Sequence, residues 1–142
     1  MKTRLLSTIE KSLTGADMAL TLDYVDVAAA TTATAANPTS VLAGHKVQVV
    51  GMKLNTAFDI TGTGALTISV GDGGSATALM AAVVVAVDGT EILYHVGGSA
   101  KVYLVDDTVD IFWTDATSMA YTSGSLTLYL RVEDMNKWPV AS

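Results

Sequence analysis

The chain has 142 residues, enough for one domain with an ordinary core, and no cysteine, which excludes a disulfide framework and any thiolate zinc site. Charged residues make up only 15%, against a usual figure of about 25%, and 14 acidic residues outnumber 8 basic ones for a net charge of −6. An acidic chain without a basic stripe repels phosphate backbones, so no nucleic-acid partner is expected, and such sparse charge predicts that other subunits cover part of the surface.

The charge is unevenly spread. Residues 1–15 carry Lys2, Arg4 and Lys11 against Glu10, while the remainder carries 5 basic and 13 acidic residues, a net of −8. Leu5, Leu6, Ile9 and Leu13 recur at helical spacing before Gly15, so an N-terminal arm over 1–16 admits a short helix that needs a surface to lie against. Only Leu5 and Leu6 separate Arg4 from Ser7, Thr8 and Glu10, too few for the apolar region of a signal peptide. The longest apolar stretch, residues 76–87, is short of the roughly 20 residues of a membrane helix, so no membrane association is expected.

From Leu20 the period changes to two, with Leu20, Leu22 and Tyr24 on one face of a half-buried strand. Residues 28–40 are low in complexity, contain Asn37-Pro38, and read as an extended loop. Over 46–54 the apolar parity shifts, from Val47 and Val49 to Val50, Met52 and Leu54, which predicts a β-bulge or a bend between sheets. Leu66, Ile68 and Val70 alternate with Thr67 and Ser69, and residues 76–82 fit either a helical turn or a strand. Asp88-Gly89 suits a type I′ turn joining strands over 83–87 and 90–96. Residues 101–105 and 108–113 read as a further pair around Asp106-Asp107. Over 125–135, Leu126, Leu128, Leu130 and Val132 alternate without error and should face the core. The expected fold is all-β, a jelly-roll-like β-sandwich of about eight strands spanning 17–135, with the extended N-terminal arm before it and a tail over 136–142.

The motifs that could carry chemistry read as structural. Gly71, Gly73 and Ala76 match a dinucleotide-binding spacing, but an Asp-Gly hairpin follows instead of βα units, so the glycines serve a turn. Asp106, Asp107 and Asp110, or Asp23 with Asp26, lack the order of a calcium loop and its closing Glu, and read as turn carboxylates. His45 and His95 have no partner at ligand spacing, and no nucleophile elbow or zinc-binding histidine pair is present. No catalytic, cofactor-binding or metal-binding residue is assigned, and the expectation is a protein that is not an enzyme.

Two stretches carry a resemblance to a known group. Residues 57–64, AFDITGTG, with 66–73, LTISVGDG, and residues 106–111, DDTVDI, with 124–134, GSLTLYLRVED, resemble the head decoration, or cement, proteins of tailed bacteriophages. The resemblance covers roughly residues 44–135. It implies a β-sandwich, a homotrimer, and contact with the major capsid protein on the outer face of the virion, the chain itself being made in the host cytoplasm. A tail, neck or spike component is the alternative, and a carbohydrate-binding module a further one that the scarcity of aromatic residues disfavours. Subunit association is expected through flat Ala/Thr/Val faces. Contact with the capsid or a sibling subunit is assigned to Lys2, Arg4, Leu5, Leu6, Ile9, Lys11, Leu13 and Trp138, with the three basic residues of the arm near acidic groups of the neighbour.

Overall fold

The computed structural model describes residues 2–28, 34–61, 65–87, 90–91, 94–96, 98–115 and 120–137. In chain order the strands are β1 (Lys2–Leu5), β2 (Met18–Asp23), β3 (Thr34–Val41), β4 (His45–Thr61), β5 (Ala65–Asp72), β6 (Ser75–Val87), β7 (Thr90–Glu91), β8 (Tyr94–Val96), β9 (Ala100–Val102), β10 (Asp107–Asp115) and β11 (Ala120–Asp134). Helices α1 (Thr8–Thr14) and α2 (Tyr24–Ala28) and a 3-10 turn at Met135–Lys137 complete the described elements.

Every strand pairing is antiparallel, and the strands form two sheets. The first runs β1-β2-β11-β4, with β8 and β9 sharing the far edge of β4, and the second runs β3-β10-β5-β6-β7. The chain is therefore all-β in its main architecture, as its period-two patterning predicts. One buried cluster joins the sheets: Leu20, Val47 and Leu128 from the first, Ile68 and Ile111 from the second, all at 0% exposure.

Sequence pattern explains the centre of the fold. Leu126, Leu128 and Leu130 of β11 are fully buried and Val132 packs at the margin of the same cluster. Their alternation puts them on one face, while Ser125 and Tyr129 lie on the other. The parity shift in β4 is a bulge at Val50: Tyr129 pairs with Gly51 and Leu130 with Val49, leaving Val50 opposite no residue. The bulge turns Val50 to the outer face, where it packs with Tyr129 on a second small cluster of Leu6, Ala16 and Ala19. At the other end of β11, Gly124 has φ +142°, and a Cβ there would run into the ring of Phe58, which stands edge-on to Tyr121. Only glycine fits that position.

Several expectations are corrected. The described residues hold eleven strands where about eight were expected, because β1 and β3 pair as strands and residues 90–96 divide into β7 and β8 on different sheets. Residues 34–40, expected as part of a loop over 28–40, together with Val41 form β3, an edge strand paired with β10 among the described residues. Its register jumps from Val109↔Thr39 to Ile111↔Ala36, so Asn37-Pro38 sits in a bulge of an edge strand, where proline is tolerated. Residues 76–82 are strand, inside β6. The expected pair around Asp106-Asp107 does not form. Instead β9 joins β4 in the first sheet and β10 joins the second, since Tyr103 is drawn into the core between them. The arm after Asp88-Gly89 divides likewise: β7 stays on β6, and β8 crosses to β4. Asp88 and Gly89 themselves lie outside the described residues.

Candidate functional site

One end of the body gathers most of the polar and exposed apolar features. There β2 begins, β11 ends and β4 begins, and backbone bonds tie the connecting segments together. Asp17 N–H donates to the Leu130 carbonyl at 2.7 Å, Met135 N–H to Gly44 at 2.9 Å, and Gly44 N–H to Tyr103 at 2.7 Å. From the second sheet, Gly73 N–H donates to the Asp107 carboxylate at 3.1 Å.

Asp72 clamps the two sheets at this end. It is 2% exposed and closes the Gly73-Gly74 hairpin loop, its Oδ1 accepting from the Gly74 and Ser75 N–H groups at 2.9 Å. Its Oδ2 accepts from Lys101 Nζ and, at 3.0 Å, from the buried Tyr103 hydroxyl, both from the first-sheet side. Lys101 also lies over the Tyr103 ring, 4.9 Å from its centroid. Burial alone would raise the Asp72 pKa, but the bonds from Lys101, Gly74, Tyr103 and Ser75 outweigh it and hold the carboxyl below its ordinary value. Burial, then the bond to Asp72, pushes the Tyr103 phenol well above its ordinary range, with the charges of Asp107 and Asp110 adding to the effect. Such an arrangement fixes geometry rather than supplying a proton at neutral pH.

At the neighbouring corner the N-terminal segment folds into β1, then α1. The helix starts at a capping box: Glu10 N–H donates to Ser7 Oγ at 3.2 Å and Ser7 N–H returns to Glu10 at 3.4 Å. It stops at Gly15, which takes φ +70° and donates to the Lys11 carbonyl. Arg4 grips Glu10 with two ion-pair contacts of 2.7 and 2.8 Å, and that guanidinium holds the Glu10 carboxyl down to about 2. Replacing Ser7 with Ala is expected to cost about 1 kcal/mol of helix stability. Amide exchange at Lys11, whose N–H bonds the Ser7 carbonyl, should then quicken roughly fivefold; an unchanged rate would show the cap to be idle.

The structure separates the residues assigned to docking. Leu6 is 5% exposed, turned onto Ala16 and Ala19, and is not available to a partner; its assignment is corrected, because the chain leaves β1 before the helix begins. Leu5, Ile9 and Leu13 are 74%, 73% and 80% exposed, and α1 buries none of its residues. Arg4 is committed to Glu10 in its own chain, whereas Lys11 has no ion-pair partner among the described residues. The Lys2 backbone lies in β1, opposite Thr21, and Trp138 is outside the described residues. A second exposed apolar group was not foreseen: Leu42, Leu104 and Val105, at 58%, 86% and 70%. Its members come from two loops with no periodicity to mark them, joined by the bond from Ala43 N–H to Asp106.

The remaining motifs fall into place as backbone devices. Gly71–Ala76 spans a hairpin with no helix after it, and a Cβ on Gly71 would strike the backbone of Ser75. Asp23 and Asp26 cap each other's backbone at the start of α2. Asp106 and Asp107 bind N–H groups, and Asp110 lies buried on β10. Among the described residues no three acidic or histidine side chains converge as ligands for a metal. His45 opens β4, whereas His95 lies in β8 opposite Met52. No described helix is long and apolar enough to cross a membrane. Comparison with protein-family models, with curated proteins and with solved structures found no match to this chain.

Proposed function

We propose that this chain is a structural, non-catalytic virion protein, a jelly-roll-like sandwich that sits as a homotrimer on the outside of a tailed-phage head and bridges major capsid protein subunits. The strongest support is an all-β body that carries a well-capped helix with Ile9 and Leu13 turned to solvent. A seven-residue helix gains little from propensity alone, so a partner that covers its exposed apolar side chains would stabilise it. The resemblance of residues 44–135 to decoration proteins points the same way, as does the low fraction of charged residues. In this role burial and strand pairing do the work. A standard interface hides about 1,600 Å² in total, and many copies acting together resist opening of the shell.

The test is direct addition of purified protein to undecorated heads. Added density on the outer shell, together with a higher temperature of head opening, is the expected result. Heads that stay bare at saturating protein, and open at the same temperature, would overturn the reading.

A further inference from the structure

The two exposed apolar groups lie at the same end of the body but at opposite edges of the first sheet. Leu5, Ile9 and Leu13 flank β1, the edge strand that pairs with β2, while Leu42, Leu104 and Val105 flank β9, beyond β4. Between those edges lie β2, β11 and β4, so the separation is four strand spacings, roughly 19 Å. We infer that the β1 edge of one copy of this chain seats against the β9 edge of the next, Ile9 and Leu13 packing on Leu104 and Val105.

Two observations fit a second copy as the occupant. First, the groups differ and lie on opposite sides, which is what a head-to-tail contact requires; a two-fold contact would need only one self-complementary patch. Second, the area is adequate. Each exposed side chain offers on the order of 100 Å², so the six supply about 600 Å² of apolar surface to a contact whose standard total is about 1,600 Å² and little more than half apolar. Either group alone would be ordinary on a monomer. This contact rests on the self-association in the proposed reading and names its two faces, and it stands wherever the assembly is located.

Sedimentation of three proteins tests it: the unaltered chain, a helix-side variant (Ile9→Asp with Leu13→Asp) and a loop-side variant (Leu104→Asp with Val105→Asp). The unaltered chain should associate at micromolar concentration, and each variant should weaken association by about a hundredfold. Mixed together, the variants should form a one-to-one dimer, because each keeps the patch the other has lost. All four positions are solvent-exposed, and unchanged melting temperatures would show that both variants fold. A monomeric unaltered chain would overturn the inference, as would a mixture of variants that stays monomeric, or dissociation by the helix-side variant alone.

Discussion

Leu128→Ala is expected to lower the free energy of unfolding by about 2–5 kcal/mol, the range for truncating a fully buried leucine. Leu128 is 0% exposed in the middle of β11, with Leu20 of β2 and Met52 of β4 opposite it on either side. The cavity would open between two sheets whose backbones are fixed by strand pairing within each, so neighbours have little freedom to collapse into it. Denaturant titration at neutral pH measures the loss through its midpoint, with the slope unchanged. Leu104→Ala serves as the contrast: Leu104 is 86% exposed and should change stability of the isolated chain by no more than about 0.5 kcal/mol. A Leu128→Ala loss as small as that of Leu104→Ala would mean that β11 is not the centre of the core.

Asp72→Ala should cost about 2–4 kcal/mol, from the lost charge-assisted bonds and from a buried Tyr103 hydroxyl left without its acceptor. Most of the effect belongs to the hydroxyl and the backbone N–H groups; the Lys101 side chain is 43% exposed, so solvent screens its share. The same carboxylate gives stability a pH dependence. Its folded pKa is lowered, so its contribution is fully present above the unfolded value of about 3.9 and is lost as pH falls through the lower folded value. Unfolding free energies measured between neutral and strongly acidic pH should show the unaltered chain losing more stability than Asp72→Ala below about pH 4. Parallel curves for the two proteins would show that Asp72 is not the group responsible.

The parts of the fold that could be read from sequence are those where burial imposes a period. Leu126 to Leu130 alternate because one face of β11 is wholly inside, and the shift at Val50 was visible because a bulge moves every later side chain to the opposite face. β3 was hidden by its position. An edge strand paired on one side tolerates Ala, Asn and Pro38, so it shows no apolar alternation. The N-terminal arm misled through its leucines: Leu5 and Leu6 fit a helical period with Ile9 and Leu13, yet strand pairing of Lys2–Leu5 with β2 ends just before the chain turns. Of the candidate site, the Asp72 turn was legible in its own Asp-Gly-Gly-Ser letters. Its partners Lys101 and Tyr103 stand 29 and 31 residues away, and nothing local announces a contact at that range.

The place of β11 also governs the order in which the molecule can be built. Its two neighbours, β2 and β4, are made long before it, and Leu20 pairs with Leu128 across more than a hundred residues of chain. Until β11 arrives, the facing edges of both strands have no common partner and the first sheet is split in two. Closing loops of that length is entropically slow, which places folding in the millisecond-to-second regime typical of proteins dominated by distant strand pairings. During that interval the unpaired strand edges of an incomplete sheet are open to any similar chain nearby, so crowded synthesis is the stage at which this protein is most exposed to misassembly.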